Sequence, residues 1–467
     1  MKTRTEQDSL GKLEVPAAAL YGIQTQRAVE NFPISGRPPH PDFVWAAVLV
    51  KKAAALANLA TGHLEERLGR AIVAAADEIL TEGCWREQFV VDRFQAGAGT
   101  SHNMNANEVL ANRANELLGA GRGEYSPVHP NDHVNMSQSS NDTVPAMTRL
   151  AILRGWERLQ ESLRELEQAF AEKARDFDRI VKSGRTHLQD AVPIRLGQEF
   201  GAYRTTVGKA AVRLEQATGD LRALNLGATA LGTGINSPPE YRAQVVEELS
   251  RLTGWPLRAP QDYFQITQSH DDFVRFSGEL RNLAVELTKI ANDLRLLSSG
   301  PRAGLGDISL PPVQPGSSIM PGKVNPVMAE MLNMVCFDVI GGDLTVSLAG
   351  LHGQLDLNVF APVMAHVLPE RLDNLSRALT VFTDRCVRGI EADEIRLSDQ
   401  VARNTSLATA LAPVIGYARA ATVAKRAVSE NLSVREAAER EGVGEGLNLD
   451  LDELLDPRRL TEPGMPK

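Results

Sequence analysis

Four short segments of this chain concentrate small polar side chains, and each adjoins a stretch with helical periodicity. They read AGAGTSHNMN (96–105), QSSND (138–142), GRTHLQDAVP (184–193) and GSSIMPGKVNP (316–326). Their candidate ligand groups are the hydroxyls of Thr100, Ser139, Ser140, Thr186, Ser317 and Ser318, the imidazole of His187, the ammonium of Lys323, and the amides of Asn141 and Asn325. Many hydroxyl and amide donors around one lysine suit a small dicarboxylate. We therefore expect the four segments to gather around one anion-binding site.

The last segment invites comparison with nucleotide-binding loops, because it holds two glycines and a lysine. A Walker loop has four residues between its glycines and a Ser or Thr after the lysine. Here five residues separate Gly316 from Gly322. Val324 follows Lys323, and Pro321 removes an amide donor. The AGAGT stretch lacks the strand-turn-helix setting of a dinucleotide site, and no G-x-S-x-G elbow occurs. Spacing and context therefore disfavour both a nucleotide-binding loop and an elbow-type serine hydrolase.

Two polar clusters have a simpler structural interpretation beside the functional one. His129 and His133 stand four residues apart in HPNDH, a spacing that metal ligands use, but a capped loop-to-helix junction produces the same pattern. Asn141 and Asp142 precede an apolar helical stretch and could act only as its cap. Capping does not explain why hydroxyl groups recur in all four polar segments.

Composition narrows the class of protein. Apolar residues make up 43% of the 467 residues and the formal net charge is −9, so no basic surface for nucleic acid is expected. The N-terminal sequence lacks the apolar region of a signal peptide, and no run of eighteen apolar residues predicts a membrane span. The odd count of three dispersed cysteines indicates reduced thiols. We expect a cytoplasmic protein that binds its anionic substrate through local cations.

The centre of the chain predicts long amphipathic helices. Apolar residues recur in alternating steps of three and four along four runs: Ile152, Trp156, Leu159, Leu163, Leu166 and Phe170; Phe200, Tyr203, Val207, Ala210, Leu214, Ala217, Leu221 and Leu224; Phe273, Phe276, Leu280, Leu283, Leu287, Ile290, Leu294 and Leu297; and Leu372, Leu375, Leu379 and Phe382. This spacing places one apolar stripe along each helix. Helices of about 25 residues extend roughly 35–40 Å and suit an elongated bundle. Such stripes favour a homo-oligomer, although a monomeric bundle has the same periodicity.

Strand signals are sparse, so the chain is predicted to be mainly α. Residues 1–138 mix helical runs with loops rich in Pro, Gly and Asn, and residues 391–467 hold shorter, more charged helical pieces. Between them, residues 139–390 carry the long periodic runs. We predict an N-terminal domain, a central helical bundle and a small C-terminal domain with these boundaries.

Taken together, the motifs resemble the aspartase/fumarase superfamily. GSSIMPGKVNP is accompanied by DSLGKLEVPAAALYGIQTQRAVENF, NMNANEVLANRA, HPNDHVNMSQSSND, GRTHLQDAVPIRLGQEF, LGATALGTGIN and LSSGPRAGL, in the family's order along nearly the whole chain. The resemblance implies a homotetramer, active sites built from three subunits, and reversible elimination that yields fumarate. It implies no organic cofactor and assigns no metal ligand, and the sequence leaves divalent-metal activation open.

The resemblance also implies a role for each polar side chain. Ser317 is implied as the general base, with His187 and Lys323 as further catalytic groups. The implied substrate-binding residues are Thr100, Ser139, Ser140, Asn141, Thr186, Ser318, Lys323 and Asn325. Glu330 is implied to orient His187, although an ordinary surface carboxylate fits the same position. His129, Asn131 and Asp132 resemble the accessory anion site of fumarases.

Which leaving group the site accepts depends on details of the same motifs. Fumarases of this type have TGSGT where this chain has AGAGT, so Ala98 replaces a serine that helps to hold water. The stretches SHNMN, QDAVP, SSGPRAGL and GQLDLN also resemble aspartases, and loss of a buried donor disfavours hydration. Other positions depart from the aspartase pattern: Ser140, the VHPND stretch, His102, Leu351, His352, Phe360 and Ala361.

We favour conversion of L-aspartate to fumarate and ammonia over the alternatives. These are a class II fumarate hydratase, a lyase for a substituted aspartate, and a structural homologue without activity. Retention of Ser317, Lys323, Thr186, His187 and Thr100 together disfavours the structural homologue.

Overall fold

A computed structural model describes residues 2–443 and 450–464 of the chain. Helices make up 62% of the structure. The α-helices are α1 (Ile23–Asn31), α2 (Pro41–Ala60), α3 (Glu66–Asp77), α4 (Thr100–Leu117), α5 (Ser140–Asp176), α6 (Leu196–Leu221), α7 (Tyr241–Thr253), α8 (Tyr263–Gln268), α9 (Asp271–Leu297), α10 (Val327–Leu351), α11 (Ala361–Arg385), α12 (Glu394–Ala402), α13 (Ala412–Ile415), α14 (Tyr417–Glu430), α15 (Val434–Arg440) and α16 (Leu451–Leu454). The strands are β1 (Thr3–Asp8), β2 (Gly11–Pro16), β3 (Val181–Thr186), β4 (Gln189–Arg195), β5 (Ile308–Ser309) and β6 (Glu391–Ala392). In the described residues they form three antiparallel pairs, β1–β2, β3–β4 and β5–β6.

The long helices follow the apolar periodicity closely. Helix α5 has 37 residues, and α6, α9, α10 and α11 have 25 to 27 each. The α9 stripe is buried at every position from Phe273 to Leu297, as are the corresponding stripes of α5, α6 and α11. The prediction of a mainly α chain built on long helices is confirmed.

The contacts divide the chain into two compact units. The first unit comprises the described residues of Met1–Glu161, Ala210–Ala284 and Cys336–Ser376, and the second those of Ser162–Lys209, Val285–Val335 and Arg377–Lys467. Each of the five long helices contributes residues to both units. The division into domains at residues 138 and 390 stays a prediction.

The core of the first unit is centred on α2, which packs against α3 and α7. Alanines recur along α2. Their short side chains let the backbones of neighbouring helices approach closely. Gly69 on α3 shows how closely, because a Cβ atom there would lie 2.6 Å from the Leu59 side chain. Helix α3 also packs against α4, the helix that begins at Thr100. The apolar core thereby fixes the helical part of the first polar segment, which begins at Thr100.

The second unit holds the β3–β4 hairpin and a small C-terminal cluster. The hairpin pairs Thr186 with Gln189, which leaves His187 and Leu188 as its two turn residues. Strand β5 pairs with β6, which ties the segment before residues 316–326 to the start of the C-terminal region. The C-terminal cluster packs α14 and α15 around Leu411, Val423 and Ala437.

Within residues 2–443 and 450–464, two helices, α2 and α10, are long and apolar enough to cross a membrane by length and composition alone. In α2, 72% of the most apolar window is buried within the structure, whereas in α10 the figure is 33%. Helix α2 is therefore a core helix. The expectation that no segment spans a membrane stays a prediction.

Candidate active site

The first two polar segments meet where α4 and α5 begin. The Thr100 hydroxyl lies 3.1 Å from the Ser140 hydroxyl, so one donates to the other. Gly99 makes this approach feasible, since a Cβ atom there would lie 2.7 Å from Val144 on α5. Its φ of +78° also favours glycine. The structure therefore brings these two segments together, while the gathering of all four around one site stays a prediction.

Ala98 holds an unusual backbone conformation in the turn before Thr100. Its φ is +58°, it is buried, and its N–H donates to the carbonyl of Val359 at 2.7 Å. Val359 belongs to LHGQLDLNVFAP, the stretch in which Leu351, His352, Phe360 and Ala361 depart from the aspartase pattern. The stretch that departs from the aspartase pattern thus contacts Ala98 through a backbone hydrogen bond. His102, also noted as a departure, is buried, and burial lowers its pKa to about 3.

The second segment is held by its own backbone. The Ser139 N–H donates to the Asp142 carboxylate at 2.9 Å, and the Asn141 N–H donates to the Ser139 hydroxyl at 3.2 Å. The Asn141 side-chain nitrogen donates to the carbonyl of Ala230 at 2.7 Å. This bond fixes the amide orientation, because the flipped amide would oppose two oxygens. The Asn141 Oδ1 atom is consequently the remaining acceptor of that side chain.

A lysine that the sequence did not single out lies beneath these segments. Lys51 on α2 is fully buried, and its ammonium donates to the amide oxygens of Asn103, Asn135 and Gln138 at 2.6, 3.0 and 2.9 Å. Burial lowers its pKa to about 7, while the Asp142 charge opposes the shift. The sequence feature that could have revealed Lys51 is its position inside the apolar run VWAAVLVKKAAALANLA. A charge buried in such a run is stable only when polar groups bind it.

In the second unit, Thr186 and His187 occupy the tip of the β3–β4 hairpin. His187 and Leu188 have φ of +54° and +60°, the conformation of a tight two-residue hairpin turn. Arg185, directly before Thr186, makes a bidentate contact with Asp307 at 2.6 and 3.1 Å. Lys182 adds a contact of 2.9 Å to the same carboxylate, whose side chain is fully buried. Burial alone would raise the pKa of Asp307, but Arg185 and Lys182 hold it below its usual value.

The 316–326 segment closes on itself. The Gly316 N–H donates to the Lys323 carbonyl at 2.9 Å, and the Asn325 amide donates to the Gly316 carbonyl at 2.7 Å. A Cβ atom at Gly316 would lie 2.2 Å from the Lys323 carbonyl oxygen, so only glycine fits there. The segment is therefore a preformed loop, with Lys323 at its exposed turn.

The hydroxyl of Ser317 accepts two hydrogen bonds from this loop. They come from the N–H groups of Ile319, at 3.3 Å, and Met320, at 3.1 Å. Donors aimed at the oxygen favour its deprotonated form over the neutral hydroxyl. Glu330, on the first turn of α10, lies 4.0 Å from Arg295, and its contact with His187 stays a prediction.

His129 acts as a cap in this structure. Its Nδ1 accepts from the N–H groups of Asn131 and Asp132 at 3.3 and 3.2 Å. A cavity of about 420 Å³ adjoins it, lined in part by Arg27, Tyr125 and Asn131. Across residues 2–443 and 450–464, no group of three or more His, Cys, Asp or Glu residues could hold a metal ion. An anion site at His129, Asn131 and Asp132 stays a prediction.

The structure thus assigns the candidate residues to two groups. Thr100, Ser139, Ser140 and Asn141 lie in the first unit, and Thr186, His187, Ser317, Ser318, Lys323, Asn325 and Glu330 lie in the second. Direct contacts join Thr100 with Ser140, and Asn325 with the loop that carries Ser317. Convergence of all these residues on one pocket is part of the proposal below.

Comparisons with known proteins agree with this fold. Residues 11–341 match the Lyase family, and residues 407–462 match the fumarase C C-terminus. The chain is 48% identical to an aspartate ammonia-lyase of Bacillus subtilis over 99% of its length and 97% of the relative's. It is 47% identical to a class II fumarate hydratase of Thermosynechococcus vestitus, with 93% of each chain covered.

Solved structures extend the same comparison. The fumarate lyase:delta crystallin of Brucella melitensis, in a cobalt-bound crystal structure, superimposes with a TM-score of 0.95 at 52% identity, covering 99% of this chain and all of that one. A class II fumarase from Schistosoma mansoni gives a TM-score of 0.94 at 34% identity, covering 98% of this chain and 99% of that one. The chain belongs to the Lyase family, within the aspartase/fumarase superfamily. More particularly, it is a carbon–nitrogen lyase of the aspartase type.

Proposed function

We propose that the protein converts L-aspartate reversibly to fumarate and ammonia by anti elimination. The observation that carries this proposal is the fixed amide of Asn141. Its nitrogen is engaged by the Ala230 carbonyl, so the side chain offers an acceptor to the substrate. An amine or ammonium leaving group presents several N–H donors that need acceptors, whereas departing hydroxide needs a donor. The buried methyl group of Ala98, where fumarases carry serine, removes one such donor.

The two carboxylates of the substrate are bound by hydroxyl, amide and ammonium groups. Thr100, Ser139, Ser140 and Ser318 would hold the carboxylate next to the carbon that loses its proton. Lys323, Asn325 and Thr186 would hold the other carboxylate. Short hydroxyl side chains lose little conformational entropy when fixed, so donors of this kind can be preorganised. The contact between Thr100 and Ser140 supports this arrangement.

Ser317 is the proposed base. It takes the proton from the substrate carbon, and the electron pair moves into the adjacent carboxylate to form an aci-carboxylate. Collapse of that intermediate forms the carbon–carbon double bond, and the ammonium group of the substrate departs as ammonia. His187 would lie near this leaving group, and Glu330 would orient the imidazole of His187. The two backbone N–H groups on the Ser317 hydroxyl support an oxyanion there, and Lys323 adds a positive charge to the same loop.

The assembly is proposed to be a homotetramer in which each active site draws residues from three subunits. Helix α10 supports this proposal, because it exposes large apolar side chains at many positions. These are Met334, Phe337, Leu344, Leu348 and Leu351, exposed by 47% to 73%. Contiguous apolar surface of this kind marks protein–protein contact. We also propose a cytoplasmic location, in keeping with cysteines that form no disulfide among the described residues.

A class II fumarate hydratase is the second candidate. Ser140 and the similarity to the Thermosynechococcus vestitus fumarate hydratase favour it. The two candidates share the base and most carboxylate ligands, so they differ mainly in the group that departs.

Parallel assays with L-aspartate and L-malate separate the two. We expect fumarate absorbance to rise at least tenfold faster with L-aspartate at equal enzyme concentration. Ala98→Ser is a matched variant that restores one hydroxyl, and it should shift the ratio toward malate. Faster turnover of malate by the unaltered protein would overturn the assignment.

A further inference from the structure

The buried carboxylate of Asp142 takes no part in the substrate binding or the proton transfer proposed for this protein. Asp142 is fully buried at the start of α5 and accepts three backbone hydrogen bonds. Its Oδ1 accepts from the Ser139 N–H at 2.9 Å. Its Oδ2 accepts from the N–H groups of Gly227 and Thr229 at 3.1 and 2.9 Å. One side chain therefore joins the Ser139–Asn141 segment to a turn more than 80 residues away.

That turn lies in LGATALGTGIN (226–236), a motif to which the proposed reaction gives no part. Gly227 has φ of +81°, and a Cβ atom there would lie 2.6 Å from the Arg242 side chain. Thr229 has φ of +54°, a conformation that costs free energy for a β-branched residue. Its hydroxyl is buried and has no hydrogen-bond partner among the residues that the structure describes. The bonds to Asp142 offset this cost and hold the turn in place.

The same turn orients Asn141. The Ala230 carbonyl, one residue beyond Thr229, accepts from the Asn141 side-chain nitrogen at 2.7 Å. Asn225, just before the turn, donates to the Asn141 backbone carbonyl at 3.2 Å. Displacement of the turn would therefore release the amide whose free oxygen is proposed to meet the amine of the substrate.

We infer that Asp142 is a positioning residue for amine recognition, which acts by clamping the 226–230 turn against the Ser139–Asn141 segment. The functional part of this inference rests on the proposed role of Asn141. The clamp itself rests on the three hydrogen bonds and on the strained turn. In these three contacts no cation binds the Asp142 carboxylate directly, and both of its oxygens accept from backbone N–H groups.

The clamp should also respond to pH. Ionisable groups face this region from several elements: Lys51 on α2, Arg149 on α5, Tyr241 on α7 and Arg242 behind the turn. Burial raises the pKa of Asp142 to about 7, against its backbone hydrogen bonds and the Lys51 charge. When the Asp142 carboxyl group is protonated, one of its oxygens carries a hydrogen and becomes a donor. That O–H group then faces a backbone N–H group, which is also a donor, so the hydrogen bond between them is lost. The clamp therefore weakens as pH falls through about 7, and KM for aspartate should rise over that range.

Asp142→Asn tests the inference without changing side-chain size. The amide can satisfy Gly227 and Thr229 through its oxygen, but its NH2 group then opposes the Ser139 N–H. We expect KM for L-aspartate to rise about tenfold, with kcat changed less, because misplacement of a binding group weakens substrate alignment. The rise in KM below pH 7 should disappear in this variant. Hydrogen–deuterium exchange should be faster in peptides covering 138–143.

Glu108→Gln is the matched control. Glu108 is also buried, and it accepts three backbone N–H groups, those of Gly22, Gln24 and Thr25. We expect this variant to lose stability while keeping KM and its pH dependence within twofold. Equal kinetic changes in both variants would show a general loss of packing and would overturn the positioning role.

Gly227→Ala disturbs the 226–230 turn, which is the partner of Asp142 in the clamp. It should raise KM as Asp142→Asn does, and the double variant should show much less than the product of the two effects. Unchanged KM, pH profile and exchange in Asp142→Asn would contradict the inference. If the unaltered protein turned over neither aspartate nor malate, the proposed function would fail, whereas the exchange measurement would still decide whether the clamp exists.

Discussion

Replacing Ser317 with alanine is expected to lower kcat by on the order of 10³, because a general base contributes about 10² to 10⁴. The loop should keep its shape, since the bonds that close it run through Gly316, Lys323 and Asn325. Binding of succinate, which cannot eliminate, should therefore stay within about threefold of the unaltered protein. Fumarate absorbance and isothermal titration measure the two quantities.

Ser318→Ala is the natural control for that experiment. Its hydroxyl is adjacent in sequence but is assigned to carboxylate binding, so KM should rise more than kcat falls. His187→Ala should cost less activity than Ser317→Ala if the imidazole only binds and orients the leaving group. Near-normal kcat in Ser317→Ala would remove serine from the role of base, and a larger loss in His187→Ala would transfer that role to the imidazole.

Replacing Asp307 with asparagine is expected to destabilise the protein by about 3–5 kcal/mol, the usual cost of breaking a buried ion pair. The variant keeps the size of the side chain but leaves the charges of Lys182 and Arg185 without their shared carboxylate. Arg185 precedes Thr186, so the hairpin tip should also loosen. Thermal unfolding reports the loss of stability, and KM for aspartate reports the looser hairpin.

Asp8→Asn is the control for the loss of stability expected in Asp307→Asn. Asp8 makes a bidentate contact with Arg27 at 2.8 and 2.9 Å, similar in geometry to the Asp307–Arg185 contact. The pair is more exposed, so solvent replaces the lost hydrogen bonds and the change in unfolding temperature should be much smaller. Equal losses in the two variants would show that burial of Asp307 is not the cause.

The helices could be read from the sequence because burial imposes their periodicity directly. Every member of the α9 stripe, from Phe273 to Leu297, is buried as the three-four spacing requires. The polar loops could be recognised by composition, and closure of the 316–326 loop follows from residues near in sequence. Gly316, for example, bonds to Lys323, seven positions away.

The roles of the buried residues Asp142 and Lys51 could not be predicted from the sequence in the same way. Asp142 looked like a helix cap, and only the folded chain shows Gly227 and Thr229 on its second oxygen. Lys51 lay unnoticed in an alanine-rich run, because its partners Asn103, Asn135 and Gln138 are more than 50 residues away. Sequence spacing reports local structure well, whereas long-range hydrogen bonds need the tertiary fold.

The proposed site adds and removes ammonia across fumarate through a base that exchanges one carbon-bound proton. Incubation of the protein with fumarate and ammonium in D2O, followed by proton NMR of the product, tests this reaction. We expect aspartate that carries a single deuterium at C3, as the one diastereomer that anti addition produces. Malate as the main product, or a mixture of both aspartate diastereomers, would rule out anti addition of ammonia by this protein.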